Sequence, residues 1–179
     1  MVHTFEPIYD DKSEILILGS LPSVKSRENQ FYYGHPQNRF WKVIAGMFGE
    51  QAPVTIEEKK KFLLRHHIAV WDVIASCDII GSADSTIKNV VANDMDIILQ
   101  KANIKGIFAN GDKAYQLFLK YCGRESKSSL KFEQLQKGRP PVYKLPSTSP
   151  ANAAWNLEKL IAAWGEAVGS YLIEWRGFI

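Results

Sequence analysis

The sequence predicts an α/β protein: a three-layer α/β/α fold with a central, mostly parallel four-stranded sheet. Two observations carry this. Short aliphatic runs recur at Ile15 to Leu18, Ile68 to Trp71, Ile104 to Ala109 and Val142 to Leu145. Runs this short, without alternation, suit strands covered on both faces. Between them lie segments whose apolar residues repeat at helical spacing, so strands and helices alternate along the chain. The length of 179 residues favours one domain, 1–179, large enough for a single core.

The leading residues, 1–13, are polar and irregular and read as an arm. The first strand, Glu14 to Leu18, runs into a long loop from Gly19 to Trp41, rich in small, polar and aromatic residues. Phe40, Trp41, Val43, Ile44, Met47 and Phe48 then mark a helix, with Asn38 expected as its N-cap and Gly49 as its stop. Thr55-Ile56-Glu57-Glu58 fits a capping box, in which Thr55 and Glu58 satisfy each other's amides. The lysines that follow, Lys59 to Lys61, read as a solvated face, and this helix ends near His66-His67. Ile68 to Trp71 is the second strand, and Ser76 to Asn89 reads as a long loop. Asn93 or Asp94 can cap a helix through Ile97, Ile98 and Leu99. The third strand, Ile104 to Ala109, turns at Asn110-Gly111-Asp112 into a helix through Ala114, Leu117, Phe118 and Tyr121. Gly123 to Gly138 is polar and weakly patterned, a candidate excursion. The fourth strand, Val142 to Leu145, leads to Pro146-Ser147-Thr148-Ser149-Pro150-Ala151-Asn152, where Ser149 as N-cap and Pro150 at the first helical position predict a helix start. Trp155, Leu157, Leu160, Ile161 and Trp164 supply the buried stripe of the last helix.

In such folds ligands sit outside the carboxyl ends of the strands. The loops from Gly19 and from Ser147 both emerge there and are expected to face one another across a cleft. Composition narrows its contents only a little. The net charge of +3 and pI near 8.8 are compatible with nucleic acid without demonstrating it. No apolar run approaches the roughly 20 residues that cross a bilayer, and the N-terminus lacks the regions of a signal peptide. A cytoplasmic monomer is expected, or a nuclear one in a cell with a nucleus. Cys77 and Cys122 lack CxxC spacing and read as reduced, buried thiols; His35, His66 and His67 lack metal-ligand spacing. No metal and no cofactor are expected. GxGxxG, GxxxxGK[ST] and GxSxG are all missing, which removes dinucleotide, P-loop and nucleophile-elbow readings. Neither loop carries the paired carboxylates of a sugar hydrolase. A cleft of Ser, Thr, Asn and Tyr suits a substrate that breaks its own bond once strained and polarised.

Tyr33-Gly34-His35-Pro36-Gln37-Asn38-Arg39-Phe40-Trp41 closely resembles the uracil-DNA glycosylase superfamily in its mismatch-specific branch. Gly19-Ser20-Leu21-Pro22-Ser23, with Leu145 to Asn152, looks most like the deoxyinosine (hypoxanthine) DNA glycosylase group. The resemblance covers the whole domain. It implies a monofunctional enzyme of base excision repair that flips a deaminated base, hypoxanthine or uracil, out of DNA and hydrolyses its N-glycosidic bond.

One departure from the family is informative. Where mismatch-specific relatives carry an asparagine that positions water, this chain has Leu21. The resemblance moves that role to Asn38, whose side-chain oxygen is expected to accept from the water; capping the next helix would compete for the same oxygen. Tyr33 aligns with the aromatic that stacks on the flipped base, Leu21 forms an apolar wall, and His35, Ser20 and Ser147 are further base-binding candidates. Ser23, Ser26, Lys113 and Ser149 are candidates for phosphate contacts, and Ala151 and Asn152 stand where relatives push a wedge into the duplex. No lysine falls at a matched catalytic position, so no lyase step is expected. Three other readings stay open: a G·U mismatch-specific uracil enzyme, a DNA-binding relative without catalysis, and a small-molecule α/β enzyme.

Overall fold

A computed structural model describes residues 1–79, 87–122 and 139–172. In chain order its first elements are β1 (Ile15–Gly19), α1 (Val24–Glu28), α2 (Phe40–Met47), α3 (Ile56–Arg65), β2 (Ile68–Asp72) and β3 (Ile74–Asp78). There follow β4 (Lys88–Ala92), α4 (Asp96–Leu99), β5 (Gly106–Asn110), α5 (Asp112–Tyr121), β6 (Val142–Leu145) and α6 (Leu157–Gly169).

The main sheet has the order β2-β1-β5-β6, and every pairing in it is parallel. β1 and β2 are buried along their whole length, which is why their sequences carry unbroken apolar residues. β6 closes the sheet at an edge, and its exposed Lys144 pairs with Asp112 at 2.9 Å, a charged rim of the kind that discourages strand addition. The chain leaves β1 toward β2 and leaves β5 toward β6, in opposite directions along the sheet. Right-handed connections then place α3 and α5 on opposite faces, giving the three layers. α2 turns its buried face, including Phe40, Val43, Ile44 and Met47, onto α6, where Leu160 and Trp164 are fully covered.

Because the two connections diverge, a crevice opens where β1 and β5 end. Registers align Gly19 with Asp72 and Asn110 with Leu145, so the four strand ends form one edge below it.

Several expectations need correction. Residues 76–89 are not simply a loop: β3 and β4 form an antiparallel hairpin, and residues 80–86 lie outside the described part. Its register shifts, the half-buried Ser76 and the exposed Asp78 and Asn89 hide the alternation that would have signalled strands. The excursion from Gly123 to Gly138 also lies outside the described residues. The long loop after β1 contains the short helix α1, capped by Ser23 Oγ accepting from Ser26 N–H at 3.1 Å. The N-cap of α4 is Met95 rather than Asn93 or Asp94, although Asp94 Oδ1 accepts from Asp96 N–H at 3.0 Å. The arm is irregular but not loose: Ile8 bridges to Val70 and Val2 to Ser76, both antiparallel.

The Thr55–Glu58 capping box is present, and Gly49 follows α2 with φ +66°. The lysine run is less solvated than expected, since Lys59 and Lys60 stand over the Trp41 and Phe31 rings. Both cysteines are free; Cys77 is buried, Cys122 is half-buried, and burial pushes the Cys122 thiol up to about 11. No described helix is long and apolar enough to cross a membrane.

Candidate active site

The cleft outside the strand ends holds about 450 Å³, within the range of small-ligand sites. All four strand ends reach it: Gly19 at the end of β1, Asp72 at the end of β2, Asn110 at the end of β5, and Ser147 just after β6. The predicted apposition of the two loops is therefore present.

Asn38 is not the N-cap residue of α2, a position taken by Arg39, which makes no side-chain cap. It does the capping work from one residue earlier. Its Oδ1 accepts from the Phe40 N–H at 2.9 Å and from the Thr148 hydroxyl at 3.0 Å. Those two donors occupy the carbonyl's two lone-pair directions. The expectation that this oxygen holds a water is thus not met in the observed arrangement. The Nδ2 amide group has no partner among the described residues.

Thr148 is the hub behind Asn38. It is fully buried, and its hydroxyl accepts from Asn110 Nδ2 at 2.9 Å while donating to Asn38. Its N–H donates to Asn110 Oδ1 at 2.9 Å, so Asn110 is bound on both amide atoms. Gly111, at φ +97°, lets β5 turn directly under Ser147; a Cβ there would stand 2.8 Å from Ser147 Cβ. Arg39 completes the junction. Its guanidinium donates to the carbonyls of Thr148, Ser149, Asn152 and Trp155.

That grip explains why no helix starts at Ser149-Pro150. α6 begins at Leu157, with Asn156 as N-cap accepting from Lys159 N–H. The intervening loop is held by side-chain turns and by Arg39, so Trp155 precedes the helix instead of joining its stripe.

Tyr33 sits at φ +52°, a strained conformation for a bulky residue and one often found at functional sites. Its ring stacks on Phe40 at 3.8 Å, and the residue lines the cleft. Its hydroxyl is buried without a hydrogen-bond partner among the described residues. Burial, reinforced by the Asp72 charge, pushes the phenol far above its ordinary range, so it stays a donor. The Asn110 amide is near enough to oppose that rise, but does not meet the hydroxyl in hydrogen-bond geometry.

Leu21, Ser20, His35 and Ser147 all line the cleft, with Leu21 packed against the core as an apolar wall. His35 Nδ1 accepts from Gln37 N–H at 3.2 Å, and Ser147 Oγ from Ser149 N–H at 3.2 Å. Ser23, Ser149 and Ala151 also line it, with Ser23 and Ala151 exposed. Ser26 reaches the lining too but is turned inward: it is 3% exposed, and its hydroxyl accepts from Gly34 N–H and contacts Ser23 Oγ, both at 3.0 Å. Lys113 and Asn152 stand outside the lining, and Asn152 Nδ2 is used internally on the Ser147 carbonyl at 2.9 Å.

Sequence reasoning missed Asp72, Asn110, Thr148 and Arg27 in the lining, and the tie made by Arg39. Arg27 stands on α1 at the cleft with no acidic partner among the described residues. A polar residue at the last position of each buried strand was the available signal for Asp72 and Asn110.

The chain matches the model of the Uracil DNA glycosylase superfamily over residues 6–167. It is 36% identical over 127 residues to the hypoxanthine DNA glycosylase of Methanosarcina barkeri, covering 69% of this chain and 80% of that protein. It is 39% identical, over the same lengths, to the hypoxanthine DNA glycosylase of Methanosarcina acetivorans. Among solved structures, a solution NMR structure of a candidate uracil DNA glycosylase from Methanosarcina acetivorans superposes with a TM-score of 0.67 at 32% identity. It covers 90% of this chain and 95% of the other.

Proposed function

We propose that this chain, which belongs to the uracil DNA glycosylase superfamily, is a monofunctional DNA glycosylase that excises hypoxanthine from DNA. The observation that carries the reading is Asn38, anchored through Oδ1 by Phe40 and Thr148 and in the lining of the cleft, with its Nδ2 amide unpaired among the described residues. Such an anchor fixes the amide before any substrate arrives, the condition for effective electrostatic and positional catalysis.

The flipped nucleotide enters the cleft with its base against the ring of Tyr33 and the wall of Leu21, both in the lining. As the C1′–N bond lengthens, positive charge grows on the sugar and negative charge on the base. Asn38 Nδ2 donates to the water's oxygen and holds it on the sugar face. A developing oxocarbenium centre is electrophilic enough that one remaining lone pair suffices for attack. The new bond is C1′–O, the broken bond is C1′–N, and the water's proton ends on the departing base. Free hypoxanthine and an abasic sugar result. Among the described residues no lysine lines the cleft, and the step proposed is hydrolysis without lyase chemistry. Ser23, Arg27 and Ser149 meet phosphates, with Ala151 at the duplex face. The chain works as a single-domain cytoplasmic monomer.

The test is an oligonucleotide panel carrying deoxyinosine, deoxyuridine or deoxyxanthosine, assayed for abasic sites with wild type and Asn38→Ala. Release from deoxyinosine by wild type alone is expected. Salt-dependent binding without release from any duplex would refute the enzyme reading. Release of uracil in preference to hypoxanthine would refute the substrate.

A further inference from the structure

The lysine run of α3 takes no part in the cleft, yet two of its cations are held in place. Lys61 pairs with Glu57 on the same helix at 2.6 Å. Lys59, half-buried, and Lys60, exposed, have no acidic partner among the described residues. Instead Lys59 Nζ stands 5.2 Å from the centre of the Trp41 ring, and Lys60 Nζ 5.9 Å from that of Phe31. The neighbouring acids of α3 are occupied: Glu57 by Lys61, and Glu58 by the backbone amides of Val54 and Thr55. A ring face steadies an ammonium without neutralising it, so two positive charges remain available at the surface. Their place in the fold is specific. The last turn of α3 passes directly into the start of β2, at the amino end of the parallel sheet. Its first turns therefore lie toward the carboxyl end, where the cleft opens. The contacts trace the same route. Tyr32 lines the cleft, Trp41 Nε1 donates to the Tyr32 carbonyl at 3.3 Å, and Phe31 stacks on Trp41 with centroids 6.0 Å apart. The Phe31 N–H donates to the Ser26 carbonyl at 3.0 Å, tying that ring to α1, which carries Arg27 in the lining. Lys59 and Lys60 thus stand outside the lining, one aromatic ring beyond it.

We propose that Lys59 and Lys60, poised over Trp41 and Phe31, form a second phosphate-binding surface outside the cleft that grips the DNA backbone on one flank of the lesion. The inference rests on the glycosylase reading and extends its footprint beyond the cleft. The occupant is duplex backbone because the surface continues the lip over which a nucleotide is drawn. A nucleotide that leaves the stack brings its flanking phosphates toward that lip. A lysine ordinarily gives up much side-chain freedom when it meets a phosphate. A lysine already settled on a ring has less left to lose, which is the benefit of preorganisation. The ring covers one side of the ammonium, and the donors on the other side reach phosphate oxygens. Contacts of this kind hold and orient a duplex without reading its sequence, as a repair enzyme meeting lesions in any context requires. The rings also connect the grip to the chemistry. Trp41 follows Phe40, whose N–H is held by Asn38, so the backbone contact and the water-holding amide share one turn of α2.

Fluorescence anisotropy with the full chain and an undamaged duplex, repeated across a salt series, tests this. The double variant Lys59→Gln/Lys60→Gln is expected to flatten the log–log salt slope by about 0.9 for each lysine. Lys59→Arg/Lys60→Arg keeps both charges and should keep the slope. Lys101→Gln/Lys120→Gln is the charge-matched control. Those lysines also stand over rings, Tyr9 and Tyr121, but Lys101 precedes β5 and Lys120 lies in the last turn of α5, both away from the cleft. Its slope should equal that of wild type. An unchanged slope in Lys59→Gln/Lys60→Gln overturns the proposal, even if that variant loses affinity for polyglutamate, an acidic-protein probe. Equal flattening in the control pair overturns it too, since overall charge would then suffice. Should the double variant not fold, Lys60→Gln alone, at an exposed position, must flatten the slope by about 0.9, and no change overturns the surface. Trimming a deoxyinosine duplex on one flank, and not on the other, should abolish the difference between wild type and the double variant. A difference that survives trimming of either flank overturns the one-sided grip. Failure of wild type to release any base, with the slope pattern intact, would instead sink the glycosylase reading alone.

Discussion

Asn38 and Asp72 face the same cleft, but the protein holds them in different ways. Asn38 belongs to a neutral relay in which Asn110 donates to Thr148 and Thr148 donates to Asn38, tying together loops that follow three different strands. Every link is an uncharged hydrogen bond, and the relay is complete without substrate. Asp72 is an acidic side chain backed by one partner, His3, from an arm 69 residues away in sequence. Its second oxygen and the nearby Tyr33 hydroxyl lack protein partners among the described residues. The closed network suits a group that must not move during bond breaking. The open pair leaves hydrogen-bonding capacity unused at the floor of the cleft.

The largest expected effect falls on the relay. Asn38→Ala should lower single-turnover release at least ~10³-fold, comparable to losing a preorganised donor at a reacting centre. It should cost only about 1 kcal/mol of stability for the Phe40 N–H contact. Asn38→Asp is sharper, because it keeps an acceptor for Phe40 and Thr148 and removes the amide donor. A nearly inactive, normally melting Asn38→Asp fits the donor role. An active one would show that the side-chain oxygen serves the water instead.

Thr148→Val keeps the shape and deletes the hub, leaving acceptors or donors of Asn38 and Asn110 unpaired in a buried place. A loss of about 1–3 kcal/mol in denaturant unfolding is expected, with release slowed roughly tenfold because Asn38 loses its backing. If stability falls and the rate does not, the relay is a fold device only.

Arg39→Met removes a fork that holds four carbonyls of the loop after β6. Weaker DNA binding is expected, by about tenfold, with the rate at saturating DNA reduced less than in Thr148→Val. A larger loss of rate than of binding would place Arg39 with the relay.

The smallest effect belongs to Tyr33→Phe. Deleting an unpaired buried hydroxyl should leave thermal stability unchanged or raise it by up to about 1 kcal/mol, while base affinity falls a few-fold. A clear loss of stability would mean that the hydroxyl already has a partner in the free protein.

The same contrast explains what the sequence disclosed. β1 and β2 were legible because burial on both faces leaves unbroken apolar runs, and the strand ends located the cleft. Asn38 was legible because it lies in a dense local string. Asp72 was not, since a single acid after an aliphatic run carries no sign of His3 arriving from the arm. Asn110 and Thr148 were hidden for the same reason: their pairing spans 38 residues, and each alone reads as a turn residue. Ser149-Pro150 shows the reverse error. Local chemistry favoured a helix there, but Arg39 takes the carbonyls of Ser149 and Asn152 and holds the backbone open. A half-buried cation with its acceptors in place outweighs a cap worth about 1 kcal/mol.

Arg39 also sets the thermodynamics of meeting DNA. The loop it grips includes Ala151, exposed at the cleft rim and next to the residues that would touch the duplex. With its carbonyls already tied to the turn that carries Asn38, that loop has little conformational freedom left to surrender on contact. Calorimetry of undamaged duplex should therefore show little heat-capacity change from this loop, because it does not fold on binding. The larger heat should appear only when a lesion leaves the stack and fills the cleft, so that scanning and extrusion become separable by their heats.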